Sequence, residues 1–85
     1  MYRIIFKKKA TKQISKLRAK DRVRVGEAID ELRTNPFIGN KLDGDLDGFY
    51  AIRVWPYRIV YSIEKEIITV NILSVGHRKD VYLKI

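Results

Sequence analysis

Eighty-five residues, 46% hydrophobic and 11% aromatic, make one small domain, of a size at which folding buries only about 60% of the unfolded chain's surface. Cysteine is absent, which excludes disulfides and thiolate metal sites and agrees with a reducing cytoplasm. The net charge of +8 favours polyanionic partners: RNA, DNA, anionic lipid or an acidic protein. The excess is uneven, with ten Lys/Arg against the single acid Asp21 in residues 1–24, an acidic middle over 25–49, and six basic against three acidic residues over 50–85.

At the N-terminus only Ile4, Ile5 and Phe6 are consecutively apolar before Lys7, Lys8 and Lys9. A secretory signal needs about 7–15 such residues and a membrane span about 18, so a soluble cytoplasmic protein with no membrane partner is expected. Tyr2, Ile4 and Phe6 alternate as in a first strand, although Ile5 blurs the period. From Lys8 to Lys20 the apolar residues Ala10, Ile14 and Leu17 fall at helical spacing among lysines. Asp21 is suited to cap a second helix with the stripe Val25, Ala28, Ile29 and Leu32. Pro36 ends it, because proline disfavours helical backbone at the residue before it. Residues 36–48, rich in Gly, Asp and Asn, read as a loop.

Three strands follow, roughly Phe49–Val54, Tyr57–Glu64 and Ile67–Val75. A hairpin turning at Trp55-Pro56 pairs Arg53 with Arg58, Ile52 with Ile59 and Tyr50 with Tyr61. A second turn at Lys65-Glu66 faces Ile63 with Ile68, Tyr61 with Val70 and Ile59 with Ile72, though a longer loop can keep the same parity. Alternation then gives one apolar face (Tyr50, Ile52, Val54, Ile59, Tyr61, Ile63, Ile68, Val70, Ile72). The other face carries Ala51, Arg53, Arg58, Val60, Ser62, Thr69, Asn71 and Leu73. Two amphipathic helices need an apolar surface and this sheet supplies one. The fold class expected is therefore α+β: a β-α-α-β-β-β order, an antiparallel sheet of about four strands, and both helices on one face. The arginine face stays open. The tail leaves the sheet through Gly76, short enough for Arg78 and Tyr82 to return beside the hairpin.

Like charges directly across a strand pair are destabilising unless an anion joins them, so Arg53 and Arg58 point to a phosphate site. Arginine's planar fork matches phosphate and stays charged, and Arg78 is a third such group. Read blandly, all three pair with Glu64, Glu66 or Asp80 at the surface. His77 is the only histidine, the side-chain type suited to proton transfer near neutral pH, and reads either so or as simply solvated. Tyr82 is a second proton carrier, or an anchor packing its ring on the sheet. Lys7, Lys8, Lys9, Lys12 and Lys16, with Lys79 in the tail, suit nonspecific phosphate contacts. Trp55, at the hairpin tip, can stack on a base. Asp43-Gly-Asp-Leu-Asp-Gly48 imitates the start of a calcium loop, but the closing acid would fall at Val54, so these residues read as turn formers. No metal and no cofactor is expected, and any hydrolysis should be metal-independent.

The run Lys41-Leu42, Gly48-Phe-Tyr50-Ala-Ile-Arg53, Tyr57-Arg58-Ile-Val-Tyr61, Ile72-Leu-Ser-Val-Gly-His-Arg78 and Val81-Tyr82 resembles the RelE/ParE superfamily of type II toxins. The resemblance spans nearly the whole chain. It implies a RelE/microbial-ribonuclease-like sheet and a ribosome-dependent endoribonuclease that cuts mRNA in the ribosomal A site and inhibits translation. It further implies an acidic, RelB-like cognate antitoxin in a hetero-oligomeric complex, with ribosome and mRNA as the other partners. By motif position Arg53, Arg58, Arg78 and Tyr82 match, and His77 fills a slot often basic or histidine. Ala51 departs from the pattern, for the best-known member has a lysine there. The superfamily also contains ParE-type, non-nucleolytic gyrase inhibitors on the same fold. A basic RNA- or protein-binding module without catalysis is the plainest alternative.

Overall fold

The computed structural model describes residues 1–77. Strand β1 (Arg3–Phe6) leads into helices α1 (Lys8–Ser15) and α2 (Ala19–Thr34), followed by a 3-10 turn at Pro36–Ile38. Strands β2 (Asn40–Lys41), β3 (Phe49–Val54), β4 (Tyr57–Glu64) and β5 (Thr69–His77) complete one sheet in the order β1-β5-β4-β3-β2. The expected α+β layering with both helices on one sheet face is present. The sheet, however, has five strands and is not wholly antiparallel, because β1 pairs in parallel with β5. Alternation marks a strand but says nothing of its neighbour. The crossover of two helices and a meander between β1 and β5 is what permits a parallel pair. The two-residue β2, paired with Tyr50 and Ala51, lies inside the stretch read as a loop. It is too short to carry a period. Among the described residues no helix is long and apolar enough to cross a membrane.

Helix α1 is shorter than its apolar spacing implies, stopping at Ser15. Arg22 Nη1 donates to the carbonyls of Ser15 (3.4 Å) and Leu17 (3.1 Å), giving partners to oxygens that the helix end leaves free. Helix α2 begins two residues before Asp21, after an extended Arg18, so Asp21 is a first-turn acid and not the cap. An acid there still opposes the helix dipole. Val25, Ile29 and Leu32 are buried against Ile59, Tyr61, Val70 and Ile72, as the stripe requires.

The Trp55-Pro56 hairpin has the expected register: Arg53 opposite Arg58, Ile52 opposite Ile59, Tyr50 opposite Tyr61. The β4–β5 turn is longer than Lys65-Glu66. A 3-10 turn at Lys65–Ile67 ends in Ile68 at φ 49°, and Ile63 faces Val70 while Tyr61 faces Ile72. The shift is two residues, so parity survives, but Ile68 leaves the core face and is 52% exposed. A bulge follows at Val60/Tyr61, after which Val60 faces Ser74, Ile59 faces Val75 and Arg58 faces Gly76. Without the extra residue Ser74 would oppose Ile59 in the core and Val75 would stand beside Arg58. Gln13 of α1 accepts a 2.7 Å bond from the Val75 N–H, two residues past the bulge, so that buried donor is satisfied from the helix layer.

The far face is less open than its sequence implies. Ala51 and Val60 are buried there with Leu42, Phe49 and Leu73 around them, and Thr69 and Asn71 are buried as well. The apolar side chains at mid-sheet are covered from the preceding loop through Leu42, and the arginine pair lies beyond that cover, at the hairpin end of the face.

Candidate functional site

Arg53 and Arg58 occupy facing positions on β3 and β4, where the Cβ atoms of an antiparallel pair stand about 4.5–5.5 Å apart. Arg53 is exposed and Arg58 half-buried. The row continues to Gly76 on β5, which contributes no side chain to the space alongside Arg58. Two arginines at facing positions on one sheet face, one of them partly withdrawn from water, are chemically suited to hold a phosphodiester and to stabilise charge that builds up at phosphorus.

Strand β5 runs through His77, so the chain does not leave the sheet at Gly76 as its sequence implies. His77 pairs with Tyr57, and the Tyr57 hydroxyl reaches Asp21 on α2. By alternation His77 therefore shares the helix side of the sheet with Tyr57, one residue beyond the arginine row and on the other face. Arg78, Lys79 and Tyr82 lie outside the described residues.

The lysines divide from the arginines in the same way. Lys7, Lys8, Lys12 and Lys16 are exposed and Lys9 is half-buried, all on or beside a helix whose Ala10 and Ile14 pack on the core face. The sheet stands between them and Arg53/Arg58. Trp55 sits at the hairpin tip, 57% exposed. Asp43, Asp45 and Asp47 belong to a turn in which Gly44 and Gly48 take φ of 64° and 94°, the left-handed backbone for which glycine is suited.

A group of residues at the tip is not legible in the sequence. Asp21 accepts a 3.1 Å bond from the Tyr57 hydroxyl and lies 3.5 Å from Arg24. Arg24 Nη2 donates to the Trp55 carbonyl at 2.8 Å. The bond to Asp21, with burial and the carboxylate's charge behind it, raises the Tyr57 pKa above its ordinary 10. Residues 21 and 57 share no periodicity, and no pattern in the sequence links them. Tyr61 lies in the core, as its parity requires; its hydroxyl donates to the Pro36 carbonyl at 2.7 Å and accepts from the Gly39 N–H at 3.1 Å.

Residues 4–82 match the family model described as ParE toxin of type II toxin-antitoxin system, parDE. The chain is 35% identical over 83 residues to toxin RelG of Mycobacterium tuberculosis, covering 95% of each. Among solved structures it resembles a chain of the RelBE2 toxin–antitoxin complex from Mycobacterium tuberculosis (TM-score 0.83, 34% identity, 91% of this chain and 98% of that one). It also resembles the isolated E. coli RelE toxin (TM-score 0.81, 31% identity, 91% and 84%).

Proposed function

Because this chain belongs to the RelE/ParE superfamily of toxins of type II toxin–antitoxin systems, we propose that it is a ribosome-dependent, metal-independent mRNA endoribonuclease that inhibits translation. The observation that carries this reading is the facing pair Arg53 and Arg58, a built-in repulsion that an RNA phosphate relieves. The reaction is a transesterification. The 2′-oxygen of one nucleotide attacks the adjacent phosphorus in line and loses its proton; the bond from phosphorus to the 5′-oxygen breaks, and that oxygen takes up a proton. The products are a 2′,3′-cyclic phosphate and a 5′-OH.

Arg53 and Arg58, with Arg78 from the tail, hold the phosphate and stabilise its added charge. Tyr82 is the foremost proton carrier, since His77 has the opposite-face register, and Ala51 offers no ammonium group for that duty. With so few acid–base groups at the row, alignment of the attacking oxygen falls to the ribosome, so free RNA is a poor substrate. The partner that silences the toxin is an acidic, RelB-like antitoxin, and the setting is the cytoplasm, where ribosomes and mRNA are found.

Purified ribosomes programmed with mRNA provide the test, read as cuts at the A site. Arg58→Ala should slow cleavage on the order of 100-fold or more, and Arg58→Lys should recover only part, since a point charge lacks the bidentate fork. Full activity in Arg53→Ala and Arg58→Ala alike would refute the site. The match to a ParE description favours a second reading, a non-nucleolytic gyrase inhibitor. Its signature is an SOS-type DNA-damage response on expression with mRNA left intact.

A further inference from the structure

Beyond this reading, though resting on it for its catalytic arm, we infer that Asp21, Arg24 and Tyr57 form a latch by which α2 holds the β3–β4 hairpin tip, making them positioning residues for the arginine row. The tip needs such a hold. Strand β4 is flanked by β5 as far as Tyr57, opposite His77. Strand β3 is flanked by β2 only at Tyr50 and Ala51. Among the described residues Arg53 therefore stands on an edge stretch with a neighbouring strand on one side only, where backbone is held less firmly than in a strand flanked on both sides.

The latch grips both limbs of the turn. Arg24 Nη2 takes the Trp55 carbonyl on the β3 side at 2.8 Å. The Tyr57 hydroxyl, on the β4 side, is held by Asp21 Oδ2 at 3.1 Å, and Asp21 Oδ1 lies 3.5 Å from Arg24 Nη1. One carboxylate thus ties two anchors, one next to Arg58 in sequence and the other two residues from Arg53. All three latch residues lie on the helix side, so they fix the geometry of the guanidinium groups without touching the phosphate.

Trp55 is the chain's single tryptophan and reports directly on the tip. In the free protein, Arg24→Ala and Tyr57→Phe should each lower Trp55 fluorescence anisotropy and raise its quenching by acrylamide, and Arg24→Lys should restore most of both. On programmed ribosomes the same two variants should lower the maximal cleavage rate on the order of 10- to 100-fold with half-saturation within about twofold of wild type. Arg33→Ala, which removes an α2 arginine as exposed as Arg24 and breaks its i,i+3 pair with the more exposed Asp30, is the control for a merely structural loss. Wild-type anisotropy and quenching in both latch variants would overturn the inference. So would an equal loss of rate in Arg33→Ala at matched thermal stability. If wild-type protein cuts no mRNA, the nuclease reading fails, and the Trp55 measurements decide the latch by themselves.

Discussion

Gln13 shows how a single polar side chain in a lysine-rich helix serves the site at a distance. Its Oε1 accepts from the Val75 N–H at 2.7 Å, in the stretch of β5 past the bulge that sets Gly76 against Arg58. Gln13→Leu leaves the donor unsatisfied and should cost about 1–3 kcal/mol in denaturant unfolding, with an unchanged m-value. The two tethered tyrosines make a second prediction. Burial raises the Tyr61 pKa, and the bond to Asp21 raises that of Tyr57. A phenol whose folded pKa exceeds its unfolded value of about 10 keeps its proton in the native state while the unfolded chain loses one. Their stabilisation is therefore complete below the unfolded pKa and declines as pH climbs through the folded one. Unfolding followed from neutral to alkaline pH should show that decline, and Tyr61→Phe should flatten it.

Among the elements, α2 combines a buried stripe with a residue that packing does not require. Gly26 lies within the helix, and a Cβ built on it meets nothing within 4 Å. Gly26→Ala should therefore stabilise the fold by about 0.5–1 kcal/mol, visible as a raised Tm. Gly39 is the contrast: a Cβ there would meet the Tyr61 hydroxyl and lie 2.8 Å from the Ala51 carbonyl oxygen. The core stripes were legible because burial on a helix or strand leaves a period in the sequence. The boundaries were less so. Leu17 keeps the apolar spacing of α1 though the helix stops at Ser15, because a link residue can bury its side chain as well as a helical one.

Among the described residues the Arg53/Arg58 pair lies on one side of the sheet and the α1 lysines on the other. One short RNA segment on Arg53 and Arg58 cannot also lie along α1 without rounding the sheet's edge. Replacing Lys8, Lys12 and Lys16 by alanine should lower nonspecific affinity for single-stranded RNA, its salt slope falling by about 0.7 for each phosphate no longer neutralised. Cleavage on the ribosome at saturating concentration should persist. A drop in cleavage equal to that of Arg58→Ala would show instead that both groups grip one substrate.

From the sequence alone came the layered α+β design and the facing Arg53 and Arg58, because strand alternation, helix periodicity and a turn at Trp55-Pro56 act over neighbouring residues; the family came from the resemblance of its motifs. The parallel pairing of β1, the bulge that turns Gly76 toward the arginines, the side on which His77 stands and the grip of Asp21 on Tyr57 depended on the assembled fold. Each is a contact between segments distant along the chain, chosen by which backbone groups and side chains the core leaves to be satisfied.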